Sequence, residues 1–128
     1  MKLLLDTCSF LWLITDASQL SPDARARVID PGNEVFLSTA SAWEIAVKWK
    51  RERLRLVQPP AVLVPAQREA HGIAELPIDE ESALHVTRLP SLHRDPFDRM
   101  LVSQAIVHGL VVVTPDVLIT QYPARTYW

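Results

Sequence analysis

Four of the fifteen acidic residues fall where a solvated surface would not put them. Asp6 ends the apolar run Lys2 to Leu5. An acid just beyond the carboxyl end of a buried strand stands in the crevice of an open parallel sheet. Asp116 repeats that placement after Leu110 to Thr114 and Pro115. Glu44 lies in the first turn of a helix after the second strand, where the helix dipole favours an anion. Asp98 shares a helix face with Leu101, Val102 and Ala105, at i+3, i+4 and i+7, which is the buried stripe. A carboxylate there must be paired, hydrogen-bonded or bound to a cation. Each acid also has a structural reading. Asp6 suits a turn at a strand end, Glu44 complements a dipole, and Asp116 suits an N-cap. Asp98 sits where a capping box puts Glu or Gln, behind Asp95 as N-cap and Pro96 in the first turn. For Asp95 the cap is the preferred role; for Asp98 the apolar face favours function.

Taken together, the four acids are expected to converge on one crevice. Carboxylates held together repel, and a hard divalent cation relieves the repulsion. Oxygen-only donors select Mg²⁺ or Mn²⁺ over zinc. The four histidines show no zinc spacing and Cys8 has no partner cysteine. Such a site supports metal-assisted attack of water on a phosphodiester. Two other classes fit less well. Hydrolysis of phosphomonoesters through an aspartyl-phosphate on Asp6 wants a nearby general acid, and position 8 is cysteine. A catalytically inactive partner-binding module would not need all four acids.

The chain around these residues has 128 residues, 48% hydrophobic and 22% charged, with a formal net charge of −2. That suits a single domain spanning residues 1–128 with a real core. Bulk charge does not announce a nucleic-acid binder. One cysteine excludes an internal disulfide. The longest apolar run, Phe10 to Ile14, is too short to span a bilayer, and Asp6 comes too early for a signal peptide. No membrane association and a cytoplasmic location are expected.

The elements that must position the acids alternate. Strands are expected at Lys2–Leu5, Glu34–Ser38, Ile73–Leu76, Leu110–Thr114 and Ala124–Tyr127. Helices are expected at Cys8–Thr15, from Ser21-Pro22 to Ile29, from about Ala40 to Arg53, at Ala61–Ala70, Asp79–Arg88 and Asp95–His108, with a helical turn at Val117–Tyr122. Ser21 and Pro22 are start signals and Gly109 a stop. Ala42, Ile45, Ala46 and Trp49 form one buried stripe. Apolar strands separated by helices imply an α/β fold with a mainly parallel sheet covered on both faces.

With those residues in view, the chain resembles the PIN-domain ribonucleases of the VapC toxin type, from bacterial type II toxin–antitoxin pairs. The resemblance rests on Leu3-Leu4-Leu5-Asp6-Thr7, on Ser38 to Ile45 (STASAWEI), on His93 to Arg99 (HRDPFDR), on Val112 to Asp116 and on the terminal Trp128. It implies a three-layer α/β/α sandwich and a metal-dependent endoribonuclease using Mg²⁺ or Mn²⁺. Its acidic quartet, as metal ligands and catalytic residues, falls on Asp6, Glu44, Asp98 and Asp116. Asp95, Thr7, Ser41 and Thr114 are possible accessories, the hydroxyls orienting acids or water. Cys8 departs from the histidine that relatives often carry there, with no expected catalytic consequence.

Lys48, Lys50, Arg51, Arg94 and Arg99 are the candidate RNA-binding residues, set against the alternative that cations favour a helix C-terminus and solvent. The resemblance further implies a homodimer and a cognate antitoxin filling a hydrophobic groove. Phe10, Leu11, Trp12, Ile14, Trp43 and Trp49 are candidates for that groove, although core packing claims several of them.

Overall fold

The computed structural model describes residues 1–128. Five strands, β1 (Lys2–Leu5), β2 (Glu34–Ser38), β3 (Ala74–Leu76), β4 (Val111–Val113) and β5 (Thr126–Tyr127), form one sheet in the order β3-β2-β1-β4-β5. Every pairing is parallel, with Leu5 opposite Leu37 on one side and Val113 on the other. Seven α-helices connect and flank them: α1 (Thr7–Ile14), α2 (Pro22–Ile29), α3 (Thr39–Lys50), α4 (Pro60–Ala70), α5 (Glu80–His85), α6 (Pro96–His108) and α7 (Val117–Thr120).

Strand alternation divides the core in two. Leu3, Leu5, Val35, Leu37, Val111 and Val113 face one way and pack with Phe10, Leu13, Ala24, Val28, Ile45 and Val64 from α1 to α4. Leu4 and Val112 face the other way and meet Leu101, Val102, Ala105 and Ile119 from α6 and α7. Both faces are therefore covered, as the apolar runs predicted. Leu3, Leu4, Leu5, Val112 and Val113 have no exposed surface. Each stabilises the fold by roughly 1.5–3 kcal/mol on burial. No helix is long and apolar enough to cross a membrane.

The strand order decides where chemistry can sit. The chain steps from central β1 outward to β2 and β3, then returns to the far side of β1 for β4 and β5. Strand order therefore reverses between β1 and β4, and a crevice opens there at the carboxyl ends. Asp6 and Asp116 lie just past those two ends.

Most boundaries move by one or two residues, as where β5 begins at Thr126 rather than Ala124 and α7 ends at Thr120 rather than Tyr122, and the two largest differences have identifiable reasons. The third helix stops at Lys50 rather than Arg53, because Glu52 takes a left-handed backbone (φ 59). The Arg53 N–H then folds back onto the Lys48 carbonyl at 2.9 Å. The stretch expected as one helix through Arg88 is α5 followed by a 3₁₀ turn at Val86–Arg88. There the α-helical partner of the Val86 carbonyl would be Pro90, which has no N–H, so that carbonyl accepts the Leu89 N–H (3.2 Å) and the Arg99 guanidinium (3.1 Å) instead. The remaining helices keep their expected signals, including Ser21 capping α2 and left-handed Gly109 ending α6.

Candidate metal centre

Asp6 is the N-cap of α1. Its Oδ1 accepts the Ser9 N–H at 2.8 Å and its Oδ2 accepts the Thr114 hydroxyl at 2.6 Å. It is only 4% exposed, and burial raises its pKa above the ordinary value against the lowering effect of those hydrogen bonds. The charge of Asp116 adds to the rise. Thr114 also accepts the Asp116 N–H at 3.0 Å, so one hydroxyl links the acids beyond β1 and β4. Asp116 caps α7 by accepting the Leu118 N–H through Oδ1 (2.9 Å).

Glu44 is 4% exposed on α3 and lies in its second turn, not the first as expected, because the helix already begins at Thr39. Its Oε1 accepts the Thr7 hydroxyl at 2.6 Å, and Lys48 pairs with its Oε2 from one turn along the helix. Thr7 Oγ1 also lies 3.0 Å from Ser41 Oγ. A hydroxyl has one hydrogen, so Ser41 is the donor in that contact. Burial pulls the Lys48 pKa down, but its hydrogen bond and charge pairing with Glu44 outweigh this and raise it.

Asp98 sits in the first turn of α6, with His93 Nε2 2.9 Å from its Oδ2. Its pKa is pushed up to about 6, first by burial and then by the charges of Asp95 and Glu44, while His93 opposes the rise. Asp95 is the N-cap, accepting from Phe97 N–H (2.8 Å) and Asp98 N–H (3.4 Å). One donor atom from each of His93, Asp95 and Asp98 lies within 4.8 Å of the others. Cys8 is an exposed residue whose thiol is partly covered. Burial raises its thiol pKa, and the charges of Asp6, Glu44 and Asp98 all reach it.

The cap readings and the convergent reading thus coexist. Asp6, Asp95 and Asp116 do cap helices, yet Asp6 and Asp116 bear on each other and Asp95 and Glu44 bear on Asp98; the one close ligand cluster is His93, Asp95 and Asp98, without Asp6, Glu44 or Asp116. A carboxylate has about four lone-pair sites, so a capping bond leaves acceptor capacity free. Buried carboxylates with raised pKa values are short of positive charge, and oxygen donors of this kind suit a hard divalent cation. The residues therefore fit the metal that the acids imply. Two partners escaped the sequence reading. His93 lies in what reads as plain loop, its signal being only that it precedes Asp98 by five residues. Ser9 gives its backbone N–H, which no side-chain pattern announces.

The basic candidates separate. Lys48, Arg51 and Arg94 line one cleft beside Asp95. Lys50 lines a different concavity with Trp49 and Arg55. Arg99 is held by the Pro90 and Val86 carbonyls and the Tyr122 hydroxyl. Among the groove candidates, Phe10 is wholly buried and Trp12 stacks edge-on to Trp128 at 5.9 Å.

The pH response of the metal-free chain follows. Asp6 and Asp98 hold pKa values above the unfolded ~3.9. The stability linked to their protonation is fully present below ~3.9 and is lost as pH rises through the raised values. For Asp98 that value is about 6. Asp79, held well below the ordinary range by His108 and Ser82, works in the opposite sense and only at more acid pH. With a chelator present, melting scans will therefore show greater stability near pH 5 than near pH 7. Solvent screening of the half-open Asp98 limits the gain to about 1 kcal/mol, or ~4 °C. A flat profile would mean that neither carboxylate is desolvated.

A model of the family described as the PIN domain matches residues 3–123. Ribonuclease VapC22 of Mycobacterium tuberculosis (strain ATCC 25618 / H37Rv) is 32% identical over 114 residues, covering 88% of this chain and 85% of its own. Ribonuclease VapC16 of the same strain is 36% identical over 63 residues, a match spanning 49% of this chain and 45% of that protein. The fold is similar to that in VapBC2 from Rickettsia felis bound to a promoter DNA fragment, with a TM-score of 0.73 at 12% identity, covering 99% and 98% of the two chains. It is also similar to DNA-bound VapBC from Salmonella typhimurium, with a TM-score of 0.70 at 19% identity, covering 99% and 97%.

Proposed function

The chain belongs to the PIN-domain family, and from that premise we propose that it is a metal-dependent endoribonuclease acting as the toxin of a toxin–antitoxin pair. The observation that carries the reading is electrostatic. Asp6, Glu44, Asp98 and Asp116 come from four distant segments; Asp6 shares the Thr114 hydroxyl with Asp116, Glu44 bears on Asp98, and the charges of Asp6, Glu44 and Asp98 all reach Cys8. In this reading all 128 residues form one nuclease domain.

Asp6, Asp98, Asp116 and Glu44 would hold Mg²⁺ or Mn²⁺. When bound, the metal lowers the pKa of a water and takes up charge developing on the phosphodiester. The chain's own groups fix the ligands. Ser9 and Thr114 orient Asp6, Thr7 and Lys48 orient Glu44, and His93 orients Asp98. Such outer partners are worth 10–100-fold in metal affinity or activity. Asp95 joins through the acid-and-histidine cluster it shares with Asp98. The ribonuclease names of the two Mycobacterium relatives and the VapBC titles of the structural neighbours support the substrate class and an antitoxin partner. A second copy as dimer partner and a cytoplasmic site of action complete the reading.

The aspartyl-phosphate alternative has no observation in its favour, since position 8 offers a protonated thiol rather than an acid. The test uses the purified full chain and cellular RNA, with sequencing of the new ends. Cuts at defined positions are expected with Mg²⁺ and not with chelator. RNA left intact under both conditions would refute the proposal.

A further inference from the structure

The geometry points to a dedicated RNA subsite beside the acids, in which Lys48, Arg51, Arg53 and Arg94 grip phosphates and Trp43 stacks on an unpaired base. This rests on the reading that the chain acts on RNA.

The first observation is a cleft of about 330 Å³ between the end of α3 and the start of α6. Lys48, Arg51, Arg53 and Arg94 line it. Arg53 reaches it because left-handed Glu52 turns the chain back over the helix end. Outside the cleft, Arg55 and Arg88 are also free of ion pairs, but four guanidinium groups are held. Arg25 pairs with Asp16 and Arg68 with Glu75, while Arg99 and Arg125 bind backbone carbonyls. Arg51, Arg53 and Arg94 form no ion pair at all. Asp95 is the one acid in the same lining, so four cations face one carboxylate, and this excess favours an anionic ligand. Lys48 joins the cleft to the acids, because it also pairs with Glu44. A polyanion lying in the cleft therefore passes directly onto the carboxylates.

The second observation is aromatic. Trp43, adjacent to Glu44, is 59% exposed. Its ring meets Phe97 edge-on, with centroids 5.0 Å apart and planes at 82°. Phe97 is itself a wall of the cationic cleft. An indole propped on edge by a second ring keeps a fixed orientation, and its open surface suits stacking with a base. A base inside a duplex has no free face, so this platform selects an unstacked nucleotide. Cations and ring together describe a nucleic-acid strand better than a peptide or a free phosphate.

The experiment measures binding of a labelled, unstructured oligoribonucleotide to the full chain in chelator, across several salt concentrations. Arg51→Ala, Arg53→Ala and Arg94→Ala are each expected to reduce the salt slope by about one. Trp43→Ala is expected to weaken single-strand binding by roughly tenfold to a hundredfold and to leave binding of the same RNA annealed to its complement unchanged. Lys2→Ala, at the opposite end of β1, should alter neither. The proposal is overturned if the cleft variants bind like wild type, or if wild type holds no RNA. It is also overturned if Trp43→Ala changes only the solution mass or antitoxin capture, because the ring then belongs to a protein interface. Cleavage that ignores the cleft sinks this subsite and spares the nuclease. Cleft-dependent binding without cleavage does the reverse.

Discussion

Asp6→Asn will remove RNA cleavage, by on the order of 10²–10³-fold or more, while leaving the metal-free protein as stable as wild type or more so. The two halves of this result have one cause. Asp6 is buried with a raised pKa, so its charge is a liability to the folded chain until a cation offsets it. Asparagine keeps the shape. Its carbonyl oxygen can accept the Ser9 N–H, and its amide can donate to the Thr114 hydroxyl that now donates to Asp6. The helix cap survives and the buried charge goes. Melting in chelator should therefore show an unchanged or raised midpoint, and the rise that Mg²⁺ gives the wild type should shrink. Asp98→Asn should behave alike, because its carboxyl is also desolvated. Cleavage at wild-type rates by both variants, with contaminating nuclease excluded, would end the metal-centre reading. Loss of activity through unfolding would show as a lowered midpoint and would count against the structural half of the argument.

Asp6 was legible because local pattern and topology agree on it. The run Lys2 to Leu5 can only be a buried strand, and a residue at the carboxyl end of the central strand of a parallel sheet faces the crevice. Asp116 follows by the same logic after β4. Asp98 was legible from helical periodicity, since an acid on a stripe with Leu101, Val102 and Ala105 needs a partner. The partner was not legible. His93 reaches Asp98 from a loop whose path is set by contacts far along the chain, and no periodicity runs through it. The end of α3 escaped for a similar reason. Nothing in Arg51-Glu52-Arg53 signals a left-handed residue, which is normally the province of glycine or asparagine. The exposed Trp43 is the reverse case. The buried stripe expected on α3 holds only at Ile45, with Ala42 half-buried and Ala46 and Trp49 exposed, and only the packing against Phe97 reveals what the Trp43 ring does.

Arg99 is the basic candidate whose role the structure changes most. Its guanidinium donates to the Pro90 carbonyl (2.9 Å), the Val86 carbonyl (3.1 Å) and the Tyr122 hydroxyl (3.1 Å). Tyr122 in turn donates to the His93 carbonyl (3.3 Å). One planar fork thus ties α6 to the turn after α5, and through Tyr122 to the loop carrying His93 and Asp95. Arg99→Ala removes the charged donor from both carbonyls, which keep only the N–H groups of Leu89 (3.2 Å, to Val86) and Leu92 (3.0 Å, to Pro90). Hydrogen bonds from a charged group are worth ~1.5–3 kcal/mol each, and this set acts as a unit, so the expected loss is about 2–3 kcal/mol. That lowers the melting midpoint by ~10 °C. Cleavage should fall with it, because a loosened loop no longer holds His93 against Asp98. Arg99→Lys should recover part of the stability, since an ammonium reaches one carbonyl but cannot span the fork. A phosphate clamp predicts the opposite pattern: unchanged melting, and a salt slope for RNA binding reduced by about one. Melting and binding measured on the same variant therefore decide between an arginine that builds the site and one that touches the substrate.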